Sequence, residues 1–163
     1  MKVYQSKSSW FKEGDLRLDA SFHLSEGRIA KIKLKSCPYG IELLSSVCLD
    51  IFNGARFKRY YVSKRELGVP FMGNSDMLKS DFQKLKLLSR KHTYNLKPLT
   101  IDSNWILVSC SGTIGKTVYT NQEFSGKTAS QHVMRIVPNN KKILGGFLYS
   151  FLTLKTNIFS IVY

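Results

Sequence analysis

Arg56-Phe57-Lys58-Arg59-Tyr60-Tyr61-Val62-Ser63-Lys64-Arg65 places five cationic side chains and three aromatic rings within ten residues, with no carboxylate among them. Guanidinium and ammonium groups neutralise phosphates, and aromatic rings pack on sugars or stack on bases, so the chemistry of this segment is polyanion binding. As a strand it would present Arg56, Lys58 and Tyr60 on one face and Phe57, Arg59 and Tyr61 on the other. The competing reading packs Phe57 and Tyr61 into a core and leaves the cations merely solvated.

Two further basic groups follow. Lys79, Lys84, Lys86, Arg90, Lys91 and Lys97 have only Asp81 among them, and the lysines at 84, 86 and 91 also suit the wet side of a helix. Lys116, Lys127, Arg135, Lys141 and Lys142 have only Glu123 between them. Lys116 and Lys127 fall in loops beside Ser111, Thr113, Thr128, Ser130 and Gln131. Loop amides and hydroxyls on a strand frame reach base edges, where Gln suits adenine and Arg or Lys suits guanine. Charge and loop position therefore nominate Arg56, Lys58, Arg59, Lys64 and Arg65 for phosphates and one base pair, with Tyr60 as a packing ring. Asn74, Ser75, Lys116, Lys127 and Gln131 are nominated for bases or sugars.

Other chemistries fare worse. Gly112-Thr113-Ile114-Gly115-Lys116-Thr117 follows an apolar strand in the manner of a phosphate-binding loop. That loop needs a glycine where Cys110 stands, and a helix where Val118-Tyr119-Thr120 continues as a strand. A tight strand-to-strand turn with positive-φ glycines fits better. Asp102 and Ser103 with a distant His132 make no triad. Asp19 and Asp76 could serve a metal, but no further ligand stands at a telling spacing. Cys37, Cys48 and Cys110 show no CxxC, and His23, His92 and His132 fall at no ligand spacing. No methyltransferase cofactor loop is visible. No catalytic residue, metal or cofactor is expected within the chain.

These groups must be positioned by one modest domain. The chain has 163 residues, 43% of them hydrophobic, and 25 Lys and Arg against 11 Asp and Glu give a formal charge of +14. Residues 51–163 hold seventeen of the basic and five of the acidic residues, so a polyanion should meet that part. Short apolar runs at Ile41–Phe52, Val69–Met72, Trp105–Ser109, Thr117–Thr120 and His132–Val137 read as strands, and Arg56–Val62 as extended. Asp76–Arg90 has helical spacing in Met77, Phe82, Leu85 and Leu88. Arg28–Lys35 alternates like a strand yet also carries helical spacings. Ile143–Tyr163 holds an uninterrupted apolar stretch, Ile143 to Leu154, of only twelve residues, too short to span a membrane. A buried helix carrying Phe147, Leu148, Phe151 and Leu152 is expected there. The sum is a single α+β domain, residues 1–163, with short strands and a few flanking helices, in a reducing cytoplasm.

Five stretches recur in a telling order: Arg17-Leu18-Asp19-Ala20; Phe52-Asn53-Gly54; Gly68-Val69-Pro70-Phe71-Met72-Gly73-Asn74-Ser75-Asp76-Met77; Trp105 through Gly115; and Ser130-Gln131-His132-Val133-Met134-Arg135-Ile136. Together they resemble the target recognition domain of type I restriction–modification specificity subunits, and the related parts of type IIG and IIB systems. The resemblance implies a curved mixed sheet with flanking helices, a helical Arg28–Lys35, and a framework role for the Ser-Gly-Thr-Ile-Gly turn. It also implies binding of half a bipartite duplex DNA target and its presentation to an N6-adenine methyltransferase subunit and, in full systems, a restriction subunit. Full subunits carry two such domains and a spacer helix. The expectation here is a fragment, or a half-subunit that forms a homodimer. Recognition by a fused type IIG endonuclease–methyltransferase is the alternative, and an RNA-binding protein is a third reading.

Overall fold

The computed structural model describes residues 34–79, 81–93 and 95–153. The chain divides into two compact units, Met1–Ile41 with Leu154–Tyr163, and Glu42–Thr153. The second carries every element named below. Most of Arg28–Lys35, and all of Arg17–Ala20, fall outside the described residues.

Helix α1 (Leu44–Val47) leads directly into β1 (Cys48–Asn53). There follow β2 (Tyr61–Val62), β3 (Gly68–Met72), β4 (Lys86–Ser89), β5 (Ile106–Ser109), β6 (Thr117–Tyr119), β7 (Thr128–Ala129), β8 (Val133–Pro138) and helix α2 (Gly145–Thr153). The class is α+β, with the strands shared between two four-stranded sheets, ordered β1-β8-β5-β6 and β2-β4-β3-β7. Among the described residues only β3 and β7 pair in parallel, which makes the second sheet mixed.

Local chemistry explains several boundaries. In Ile41–Phe52 the strand begins only at Cys48, because Ser46 Oγ donates to Leu43 O at 2.7 Å and to Glu42 Oε2 at 2.8 Å and favours a single helical turn. Pro70 has no N–H for a ladder, and the parallel pairing with β7 starts one residue beyond it, at Phe71. All four residues of β5 are buried, as an inner strand flanked by β8 and β6 requires of a continuous apolar run.

Two expectations need correction. Asp76–Arg90 is not a helix: Asp76–Leu78 makes a single 3-10 turn, and Lys86–Ser89 is strand β4. Asp81 Oδ1 accepts from Gln83 N at 2.8 Å, a local turn that interrupts any helix, and Leu87 and Leu88 pair with Pro70 and Val69. Apolar residues that mimic helical spacing reach one core without a helix: Met77 belongs to it, Phe82 and Leu85 pack against it, and Phe82 meets Phe124 edge-on at 4.7 Å. In α2, Leu148 and Leu152 are buried as expected, but Phe147 and Phe151 are 63% and 39% exposed. Only one narrow face of α2 is covered, where Tyr149 lies 5.9 Å from Tyr119 and Gly145 approaches the Tyr119 ring too closely to admit a side chain. The core proper is Met72, Met77, Ile101, Leu107, Phe124, Ala129 and Val133, with Trp105 and Val118 packed against it.

Candidate nucleic-acid interface

Strand registers decide which loops meet. Because β3 and β7 are parallel, with Met72 opposite Ala129, Gly73-Asn74-Ser75 and Ser130-Gln131-His132 leave the second sheet side by side. Antiparallel pairing sets Ser109, the end of β5, against Val133, the start of β8, and Asn53, the end of β1, against Met134. Four chain segments thus converge on the start of β8: Asn53-Gly54, Gly73–Ser75, Cys110–Lys116 and Ser130–His132. Hydrogen bonds stitch them together. Ser130 N donates to Met72 O at 3.0 Å, Cys110 N to His132 O at 2.8 Å, and Asn74 Nδ2 to Ser111 O at 2.6 Å and Ser111 Oγ at 3.0 Å.

Beneath this cluster lies Arg135, a residue that sequence reasoning grouped with surface cations. It is fully buried. Its guanidinium donates to Val133 O and Ala129 O, both at 2.6 Å, and to Ser130 O and Leu99 O, both at 3.1 Å. Burial pushes its pKa down to about 10, against a smaller opposing influence from Cys110, so it remains a cation at neutral pH. Phe52 lies 5.9 Å from the guanidinium, and a Cβ on Gly54 would stand 3.1 Å from Nη1. Phe52-Asn53-Gly54 and Arg135 are therefore one structural unit: the glycine leaves room for the cation, and the cation fixes the carbonyls of the loop that carries Gln131. The signal available in the sequence was the pairing of these two motifs, not the charge of Arg135.

The Cys110–Lys116 loop is a hairpin turn, as expected. Gly112 and Gly115 have φ of +67° and +82°, and a side chain on either would meet nothing within 4 Å, so conformation rather than space requires glycine. Ser109 Oγ donates to Thr113 O and accepts from Lys116 N at 3.0 Å, which ties the turn to its strand. Lys116 is exposed beside it, and the Ile114 side chain is exposed within it.

The nominated residues separate into distinct groups. Arg59 and Gln131 come together across the fold, with Arg59 Nη2 donating to Gln131 Oε1 at 3.0 Å. Gln131 Nε2 lies 3.1 Å from His132 Nε2. The Arg59 guanidinium sits 5.0 Å from the Phe71 ring centroid and 5.9 Å from that of Phe57, and these rings meet edge-on. Asn74 joins the same loop cluster, but its amide nitrogen is spent on Ser111 and its Oδ1 is buried without a partner. Its place is that of a latch between loops. Ser75 is exposed next to it.

Residues 54–60 are irregular rather than a strand, so the strand-like division of faces expected there does not apply. Phe57 and Tyr61 both pack against Phe71, while Tyr61 remains partly exposed. Arg56 and Lys58 are exposed, with Lys58 Nζ 5.3 Å from the Tyr60 ring, which itself leans on His92 at 5.6 Å. Lys64 and Arg65 lie at the other end of β3, beside Gly68. There Arg65, Arg90 and Lys127 share a cleft of about 860 Å³ with Gln83, Asp81 and Glu123. The Lys127 ammonium donates to Glu123 O and lies 5.3 Å from the Phe82 ring centroid.

Asp76, weighed above as a metal ligand, is occupied otherwise. Partial burial pushes its carboxyl up, but hydrogen bonds from Lys79 and from Gly73 N–H, with the charges of Lys79 and Lys86, outweigh that and hold it below the usual range. It caps the turn after β3 and so holds Gly73–Ser75 in place. Among the described residues no group of His, Cys, Asp or Glu could hold a metal ion, and no helix is long and apolar enough to cross a membrane.

A solved structure shares the fold. The chain resembles the HsdS subunit from Thermoanaerobacter tengcongensis, with a TM-score of 0.50 at 14% identity, over 77% of this chain and 33% of that one. It is also similar to the S subunit of a type I restriction-modification system from M. genitalium, with a TM-score of 0.45 at 16% identity, over 86% and 32% of the two chains. The first likeness is one of fold, and the chain spans about a third of the length of either subunit. No curated protein matches it. Residues 46–162 match the family described as type I restriction modification DNA specificity domain, a match that takes in all eight strands and the four converging loops. By that match the chain belongs to the type I restriction modification DNA specificity domain family, whose part in restriction–modification is DNA recognition.

Proposed function

We propose that this chain, residues 1–163, acts as one target-recognition unit that binds half of a bipartite duplex DNA site. It presents that site to an N6-adenine methyltransferase subunit and, in full systems, to a restriction subunit. Covalent chemistry resides in those partners and not in this chain, and the assembly works in the cytoplasm. A second recognition domain is supplied by the rest of a longer subunit or by a second copy in a homodimer.

The observation that carries this reading is the convergence of four loops at the start of β8, held from below by Arg135 and bearing Gln131, Ser75 and Lys116 at one end of a strand frame, with Arg59 bonded to Gln131. A rigid frame with exposed donors on its loops is what base-edge readout requires. Arg56, Lys58, Lys64 and Arg65 are assigned to phosphates, with Tyr60 packing on sugar, because they are exposed and lie outside this cluster. Asn74 and Lys127 are assigned to structure first, since both amide N–H groups of Asn74 go to Ser111 and the Lys127 ammonium bonds Glu123 O beside the Phe82 ring.

Selection of bound duplexes from a randomised pool, with and without the methyltransferase subunit, tests the proposal. A short enriched motif is expected, and it should extend to a bipartite one when two recognition units are present. A pool that stays random in both arms would overturn it.

A further inference from the structure

We infer that Arg59 reads a guanine in the duplex target through its O6 and N7 edge, and that Gln131 is the positioning residue that aims it. This inference rests on the chain being a duplex-DNA specificity domain.

Four observations lead there. Arg59 is exposed, yet its side chain is held in place: Nη2 bonds Gln131 Oε1 at 3.0 Å and the guanidinium carbon lies 5.0 Å from the Phe71 centroid. Phe71 is buried in β3, so the guanidinium leans on a fixed part of the frame. By contrast Arg56, Lys64 and Arg65 have no side-chain hydrogen bond among the described residues, and Lys58 has only the Tyr60 ring. A guanidinium that merely neutralises phosphate gains little from being fixed, whereas bidentate pairing with a base edge needs a set orientation before contact.

The donor count then points to guanine. A guanidinium carries five N–H groups in a rigid fork. Gln131 takes one, and the described residues offer Arg59 no other acceptor. In the major groove two adjacent acceptors occur on guanine, as O6 and N7. Adenine would instead suit Gln131, but bidentate pairing needs both ends of its amide. One end already accepts from Arg59, and the other lies 3.1 Å from His132 Nε2. The base-reading role expected of Gln131 therefore passes to the residue it holds.

The test replaces guanine by 7-deazaguanine, one position at a time, in a duplex selected by the wild-type chain, and compares wild type with Arg59→Met, Gln131→Ala and Gln131→Glu. At one guanine the analogue should weaken wild-type binding about 5- to 150-fold and leave Arg59→Met, which has no donor to offer, unaffected. Gln131→Ala should lose most of that preference at unchanged thermal stability, and Gln131→Glu, which still accepts from Arg59, should restore it. Insensitivity to the analogue at every guanine would overturn the inference. So would an Arg59→Met variant that keeps the base preference. Failure of the wild-type chain to select any duplex would instead overturn the DNA-recognition reading, and this inference with it.

Discussion

Replacing Arg135 with Met removes a cation that serves four backbone carbonyls, those of Leu99, Ala129, Ser130 and Val133. Each buried carbonyl left without a donor costs roughly 1–3 kcal/mol, so the gross loss is about 4–12 kcal/mol. Part of it is offset. Among the described residues no carboxylate pairs with Arg135, and burial disfavours its charged form. A methionine relieves that desolvation cost, several kcal/mol for a buried ion, and fills much of the volume. A net destabilisation of about 2–4 kcal/mol remains. Urea unfolding followed by circular dichroism should show it as a lower midpoint at unchanged slope. Thermal melting should fall by about 5–15 °C for a chain of this size. Arg135→Lys should fall between the two, because an ammonium has three donors and no planar fork. An Arg135→Met variant as stable as wild type would refute the argument that this cation fixes the loops.

Gly54→Ala would place a Cβ 3.1 Å from both Arg135 Nη1 and Leu99 Cδ2, and should cost about 1–3 kcal/mol in the same unfolding assay. In a double-mutant cycle with Arg135→Met the two losses should be less than additive, since the shorter side chain vacates the space the methyl needs. Asp76 has a carboxyl pKa below its usual value, so its contribution to stability is present above the unfolded value near 3.8 and is lost as pH falls through the lower folded value. Asp76→Asn should therefore lower stability above that window, neutrality included, and flatten the acid limb as the two curves converge at low pH. Lys58→Ala together with Arg56→Ala should weaken binding to all duplexes alike and reduce the magnitude of the log-log salt slope by about two. An unchanged slope in anisotropy titrations would remove them from the phosphate contacts.

Local signals in the chain were enough for some elements and not for others. The strands at Ile106–Ser109, Thr117–Tyr119 and Val133–Pro138 follow from compact apolar or alternating runs bounded by Gly and Ser turns. The Gly112–Gly115 turn follows from the absence of a helix after Lys116. The helical spacing in Asp76–Arg90 misleads because Met77, Phe82 and Leu85 reach the core from a turn and a loop, while pairing with β3 makes Lys86–Ser89 a strand. Such pairing is a long-range property that no window of sequence contains. Arg135 was misread for a related reason: a basic residue signals solvent unless its partners are known, and two of its four carbonyls come from residues more than five positions away. The contact between Arg59 and Gln131 spans 72 residues. Composition marked both as candidates, and only the parallel β3–β7 register brings the Gln131 loop beside the Phe71 ring on which Arg59 rests.

Discrimination is the property on which the account depends most. It is measured directly by titrating the chain, at one fixed ionic strength, against the selected duplex, a scrambled duplex of equal length and a single-stranded RNA. The selected duplex should bind tighter than either competitor by about 100-fold or more, as several base pairs contributing roughly 1–3 kcal/mol each would give. Equal affinity for the two duplexes, or a preference for the RNA, would contradict it.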